Sequence, residues 1–185
     1  MKTKDLILTT LTTISLLIVV TSTQSTTNHY DFKKKIELTK KNSEIVTPTP
    51  MFMYEAIEKY SEQYEIPRYI AYNISFLETR YRGPFHWTYN PVQTSCAGAL
   101  GPMQIMPGTA KLIQKRVVPK NVLKTDIMLN VEISMKLLRK LFNKYHDWSI
   151  VCGCYNTGHP LVNDYARFCV KNKNYQNNWV IPNNI

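Results

Sequence analysis

Glu78 closes an apolar run, Ile70-Ala71-Tyr72-Asn73-Ile74-Ser75-Phe76-Leu77, and the next acidic residue along the chain is Asp126. The stretch between them is rich in aromatic, glycine and amide side chains, the composition of a binding loop. A carboxyl against an apolar face, with no anionic neighbour in its loop, is suited to holding and passing a proton. It is poorly suited to a metal, which needs several ligands. A second group with chemistry of its own is the set Cys96, Cys152, Cys154 and Cys169. Cys152 and Cys154 are too close to pair with each other. If disulfides form, one of them joins Cys96 and the other Cys169, and the sequence leaves open which. Buried free thiols are the equal alternative. Cys-x-Cys without a nearby histidine is a weak zinc pattern.

The elements that position these residues are helical. Phe52, Ala56, Ile57 and Tyr60 recur at helical spacing, predicting an amphipathic helix over 51–65. Pro67 suits the first turn of a second helix, whose stripe is Ile70, Ile74 and Leu77. At about 100° per residue, Glu78 falls at the rim of that stripe. Gly83-Pro84, Asn90-Pro91, Gly98 and Gly101-Pro102 break regular structure over 80–104. Pro107 opens a helix to about Arg116, and Asp126 stands near the start of a long helix with Ile127, Val131, Ser134, Leu138, Leu141 and Tyr145 on one face. Segments 148–156 and 161–171 complete the set. No alternating strand pair is visible, so the predicted class is all-α.

The 185 residues suffice for one domain with a sizeable core. Residues 1–24 read as an export signal or uncleaved membrane anchor: Lys2 and Lys4 precede an apolar run over 6–20 that is short of the ~20 residues needed to span a bilayer. Residues 25–50, with lysine clusters at 33–35 and 40–41 and ending Thr47-Pro48-Thr49-Pro50, read as a polar tether. A short helix over 30–39 would have little to pack against. The domain proper is expected over 51–185. A net charge of +10 favours polyanions in general. No nucleic-acid recognition motif accompanies it, so a nucleic-acid role is not expected.

Three segments occur in order: "FLETRY" at 76–81, "NPVQTSCAGALGPMQIMPGTA" at 90–110 and "CYNTG" at 154–158. Together they resemble the soluble lytic transglycosylases, a lysozyme-like family that cleaves bacterial peptidoglycan. That family carries Glu-Ser at a helix end, an Asn-Pro and Ser segment, a "GAxGLMQIMPxTA" block and an "AYNAG" block. The resemblance covers about residues 50–172, including the long helix "DIMLNVEISMKLLRKL". It implies that Glu78 is the catalytic acid/base and that Thr79, Ser95, Gln104, Met106, Tyr155 and Asn156 meet the glycan. It further implies that one carboxyl protonates the glycosidic oxygen between N-acetylmuramic acid and N-acetylglucosamine, then takes the proton of the muramoyl C6 hydroxyl as a 1,6-anhydro ring closes. No metal or cofactor is implied. Gly98 and Gly101 are expected to let the backbone approach a polysaccharide, whereas Met103 reads as a gap-filling core residue.

The chain departs from the family pattern at four places. Thr79 replaces serine, and Pro102 stands where leucine is usual. The connection before Asn90-Pro91 is longer and carries Phe85, His86, Trp87 and Tyr89, so it is expected to widen or roof the groove, with Trp87 and Tyr89 open between sugar platforms and loop packing. Cys169 occupies the place of a late tyrosine that contacts the catalytic acid, leaving Tyr165 and Tyr175 as candidates for a substitute hydroxyl. The resemblance implies a monomeric protein of the bacterial periplasm or cell envelope whose partner is peptidoglycan, touching membrane through its N-terminal segment alone. "YNTG" is similar to the branch associated with conjugation and secretion machineries. A water-using muramidase and a non-catalytic wall-binding or assembly protein are the alternatives.

Overall fold

The computed structural model describes Lys34 and residues 47–180. Apart from Lys34, the expected export signal, the helix over 30–39 and the tether up to residue 46 lie outside the described residues. Contacts divide the chain into the units Met1–Val46 and Thr47–Ile185. Among the described residues the second unit holds seven α-helices: α1 (Thr49–Gln63), α2 (Arg68–Thr79), α3 (Pro107–Gln114), α4 (Lys120–Thr125), α5 (Ile127–Tyr145), α6 (Trp148–Thr157) and α7 (Asp164–Lys171). A 3₁₀ turn, Tyr175–Asn178, follows. The architecture is all-α; among the described residues extended pairing is limited to isolated bridges, Thr94 with Leu100 and Leu100 with Ile105. No helix among the described residues is long and apolar enough to cross a membrane.

The long helix α5 is the scaffold, with α1, α3, α4 and α6 packed on it, while α7 rests on both α6 and α2. Its start is set by Asp126, whose carboxylate accepts from the Leu129 N–H at 2.9 Å. Val131, Met135 and Leu138 are fully buried, as are Ile57, Ile70, Ile74 and Val151 on the helices around them. Two helix boundaries and one buried stripe refine the sequence reading. The first helix begins at Thr49, and Pro50 is buried with its carbonyl accepting from the Tyr81 hydroxyl at 2.7 Å, so the end of the expected tether belongs to the domain. Its buried stripe includes Met53, while Phe52 turns outward at 37% exposure. The last helix starts at Asp164, capped by Asn163, later than the expected 161.

The extended connection after α2 packs inward. Tyr81, Phe85 and Tyr89 are 2%, 1% and 6% exposed. The Tyr89 hydroxyl lies 2.9 Å from Thr79 Oγ1. Trp87 is half exposed but stands apart from the cleft described below. The expected roof over a groove is therefore corrected: Phe85 and Tyr89 gain more by burying, Tyr89 against Thr79, than by standing in solvent.

Candidate active site

Glu78 stands in the last turn of α2, because the next residue but one ends the helix. Arg80 adopts a left-handed conformation, φ 60°, its N–H donating to the Phe76 carbonyl at 2.9 Å and that of Tyr81 to the Ser75 carbonyl at 3.4 Å. The carboxyl is half buried, and its Oε1 accepts a 2.7 Å hydrogen bond from the Tyr165 hydroxyl. Burial pushes the Glu78 carboxyl above its ordinary value, and the Tyr165 hydrogen bond draws it partly back. Burial, then the neighbouring Glu78 charge, holds the Tyr155 and Tyr165 phenols well above their ordinary values. Both are neutral hydrogen-bonding groups at any physiological pH.

Tyr165 is thus the hydroxyl that meets Glu78 in place of the one expected at residue 169. Tyr175 is elsewhere: its ring stacks on Tyr72, centroids 4.6 Å apart, at a level of α2 six residues before Glu78. The helices bearing Glu78 and Tyr165 are tied by buried Asn73, whose amide donates to the carbonyls of Cys169 at 2.9 Å and Asn172 at 2.7 Å.

Glu78 opens on a cleft of about 650 Å³. One wall is the 90–110 segment with α3, contributing Ser95, Gln104, Met106 and Leu112; the other is α5 and α6, contributing Leu137, Leu141, Tyr145, Tyr155 and Asn156. Five of the six groove residues expected from the sequence therefore line the cleft together. Their hydrogen bonds settle what each can offer. Ser95 Oγ accepts from the Ala99 N–H at 3.0 Å, which leaves its proton to donate. Gln104 gives its amide N–H to the Gly101 carbonyl at 2.8 Å and keeps its oxygen as an acceptor. The Tyr155 hydroxyl donates to the Met103 carbonyl at 2.7 Å, so its ring faces the cleft while its polar end is occupied.

Thr79 is the sixth, and its expected contact with glycan is corrected. It is 4% exposed, does not line the cleft, and donates its hydroxyl to the Pro102 carbonyl at 2.8 Å. It braces the loop from behind. Gly101 is corrected likewise: a Cβ there would lie 2.5 Å from Asn130 Nδ2 and 2.8 Å from the Leu123 carbonyl oxygen. Its bare backbone admits Asn130, which bonds Met103 N–H and the Leu100 and Leu123 carbonyls at 2.8–2.9 Å. Gly98, with nothing within 4 Å of its Cβ position, is likewise absent from the lining. Met103 is fully buried beside this buried asparagine.

Of the two alternatives for the cysteines, paired or free, the structure has the second, since all four are free. Cys96 is exposed on the loop while Cys152, Cys154 and Cys169 are buried. Cys169 meets the Cys152 thiol, and that contact, followed by burial, pushes its own thiol far above the ordinary range. Among the described residues no group of three or more His, Cys, Asp or Glu side chains gathers as a cation site.

The α5 wall is what sequence reasoning missed. The sequence places Leu141 and Tyr145 with Leu138 on one face, yet Leu138 is fully buried while Leu137, Leu141 and Tyr145 face the cleft. The adjacent apolar pair Leu137-Leu138 was the available signal, because it widens the stripe beyond what one partner covers.

A helical domain with one protonatable carboxyl beside an amide- and hydroxyl-lined cleft has the build of a lysozyme-like glycan-cleaving protein. The family model of the transglycosylase SLT domain matches residues 55–178, and the chain belongs to that family, the soluble lytic transglycosylases. The family acts on peptidoglycan, which puts its substrate in the cell envelope. Comparison with curated proteins gives no match.

Proposed function

We propose that this protein is an exported peptidoglycan lytic transglycosylase in which Glu78 serves first as acid and then as base. The observation that carries the reading is the single carboxyl of the cleft. Glu78 is raised by burial and hydrogen-bonded by Tyr165, and no second carboxylate occurs among the described residues lining the cleft. A conventional glycosidase flanks the bond with two carboxyl groups. One carboxyl suffices if the nucleophile belongs to the sugar. Protonated Glu78 donates to the oxygen between N-acetylmuramic acid and N-acetylglucosamine, and the bond to C1 breaks. The carboxylate left behind accepts the C6 hydroxyl proton as O6 closes on C1. Ser95, Gln104 and Asn156 bind sugar hydroxyls and amides, while Met106 and the Tyr155 ring meet apolar sugar faces. Residues 1–24 deliver the domain to the envelope and 25–46 tether it, where it works as a monomer recruited to a secretion or conjugation complex.

Mass spectrometry of murein digested by the purified protein tests this. Fragments ending in 1,6-anhydromuramic acid are expected. Reducing ends would identify a muramidase using water, and murein binding with background release would leave a wall-binding protein.

Tyr165→Phe tests the support of the acid. The hydrogen bond is what lowers the Glu78 pKa, so its loss moves that value further up. Because the first step needs the protonated form, the alkaline limb of kcat/KM is expected to move to higher pH. The maximal rate falls about tenfold as the carboxyl loses its fixed orientation. An unmoved limb would separate Tyr165 from the chemistry.

A further inference from the structure

We propose that Asn163 is a positioning residue that fixes the polarity of the Asn156 amide, so that this point of the cleft presents an N–H donor selecting the carbonyl of an N-acetyl group. The inference deepens the proposed function and rests on its reading of the cleft as a glycan site.

The Ala166 backbone N–H can only donate, so the Asn163 side-chain atom 2.9 Å from it is the oxygen. The other end of that amide is then Nδ2, which can only donate, and it lies 2.8 Å from the Asn156 side chain. The Asn156 atom receiving it must be Oδ1. With its oxygen committed, Asn156 has its Nδ2 hydrogens left for the cleft that it lines. Asn163 is not among the lining residues, so it acts through Asn156. The same side chain caps α7, the helix that carries Tyr165.

Fixed polarity matters for one kind of sugar group. Hydroxyls both donate and accept, and would tolerate Asn156 either way round. An acetamido carbonyl accepts alone and needs the donor. An unacetylated amino group, as ammonium, donates alone and is disfavoured by it. Asn163 is thereby a determinant of selection for N-acetylated over de-N-acetylated glycan.

Asn163→Asp separates this role from capping. Aspartate caps a helix as well as asparagine does, but it cannot donate to Asn156 Oδ1. The Asn156 amide then turns its Nδ2 toward residue 163 and its oxygen toward the cleft. Titration calorimetry in the Glu78→Gln background, with N-acetylglucosamine tetramer and its fully de-N-acetylated counterpart, reads the consequence. Asn163→Asp is expected to weaken binding of the N-acetylated tetramer about tenfold, without weakening the amino tetramer and with the melting temperature held. Uncharged Asn163→Ser, which keeps a capping oxygen, is expected to shift the preference in the same direction by less. Both variants binding the N-acetylated tetramer like their parent, or losing both ligands equally, would overturn the inference. A parent that binds neither tetramer overturns the glycan reading of the cleft, and the inference with it.

Discussion

Glu78→Gln is expected to lower the release of anhydro-ended fragments from murein by about 10³-fold, the loss of a positioned general acid, while making the protein more stable at neutral pH. Glutamine keeps the side-chain volume and its oxygen can still accept from the Tyr165 hydroxyl, so the cleft keeps its shape. What disappears is the transferable proton. The gain in stability follows from linkage. Burial raises the folded-state pKa of Glu78, so the folded protein holds its proton more tightly than the unfolded chain does. The wild type then loses stability as pH rises from the ordinary glutamate range through the raised folded value. Glutamine has no such loss. Melting temperatures of the two proteins should therefore coincide below the ordinary glutamate range, separate across that window, and stay apart above it with the variant higher. A constant difference at every pH would mean that Glu78 titrates as a solvated surface acid, and unchanged fragment release would assign the chemistry to another group.

The position of Glu78 could be read from the chain because two local rules agree there: an apolar stripe of period 3.6 ends beside it, and Gly83-Pro84 a few residues later break a helix. Its hydroxyl partner was harder to read for a geometric reason. Residues 165 and 169 lie one turn apart on the same face of α7, so a tyrosine at the earlier position reaches the space that alignment assigns to the later one. Cys169 instead fills the interior against Cys152. Short-range rules failed where partners were distant in sequence. Gly101 looked like an opening toward a ligand, but the approach that it permits is made by Asn130, on the next long helix. Thr79 kept the hydroxyl of the motif, but that hydroxyl points to Pro102 and Tyr89, and the latter lies in the enlarged connection. The six residues of α4 carry too little period to be read as a helix, and it owes its existence to Leu123, fully buried beneath α5.

Gly153→Ala is expected to be the most damaging single-methyl change near the site, lowering stability by about 3 kcal/mol, at the upper end for overpacking. Gly153 is in the middle of α6, where its backbone conformation suits any residue and alanine would ordinarily help by roughly 0.5–1 kcal/mol. Space decides against that gain. A Cβ at 153 would lie 1.6 Å from the carbonyl oxygen of Leu161 and 2.8 Å from its carbonyl carbon. Both are backbone atoms, so no rotamer change relieves the overlap and the 159–163 segment must move away. That segment leads directly into Asn163, which caps α7 and bonds Asn156, and so into Tyr165 on Glu78. Destabilisation and loss of activity should therefore come together, and the pH–rate limb of the surviving activity should move upward as in Tyr165→Phe. Gly158→Ala provides the contrast. Its Cβ would meet nothing within 4 Å, but the residue sits at φ +79°, so the cost is the left-handed backbone alone, about 1 kcal/mol. Urea unfolding of the two variants orders them, with the larger loss expected at 153, where the added methyl meets the Leu161 backbone.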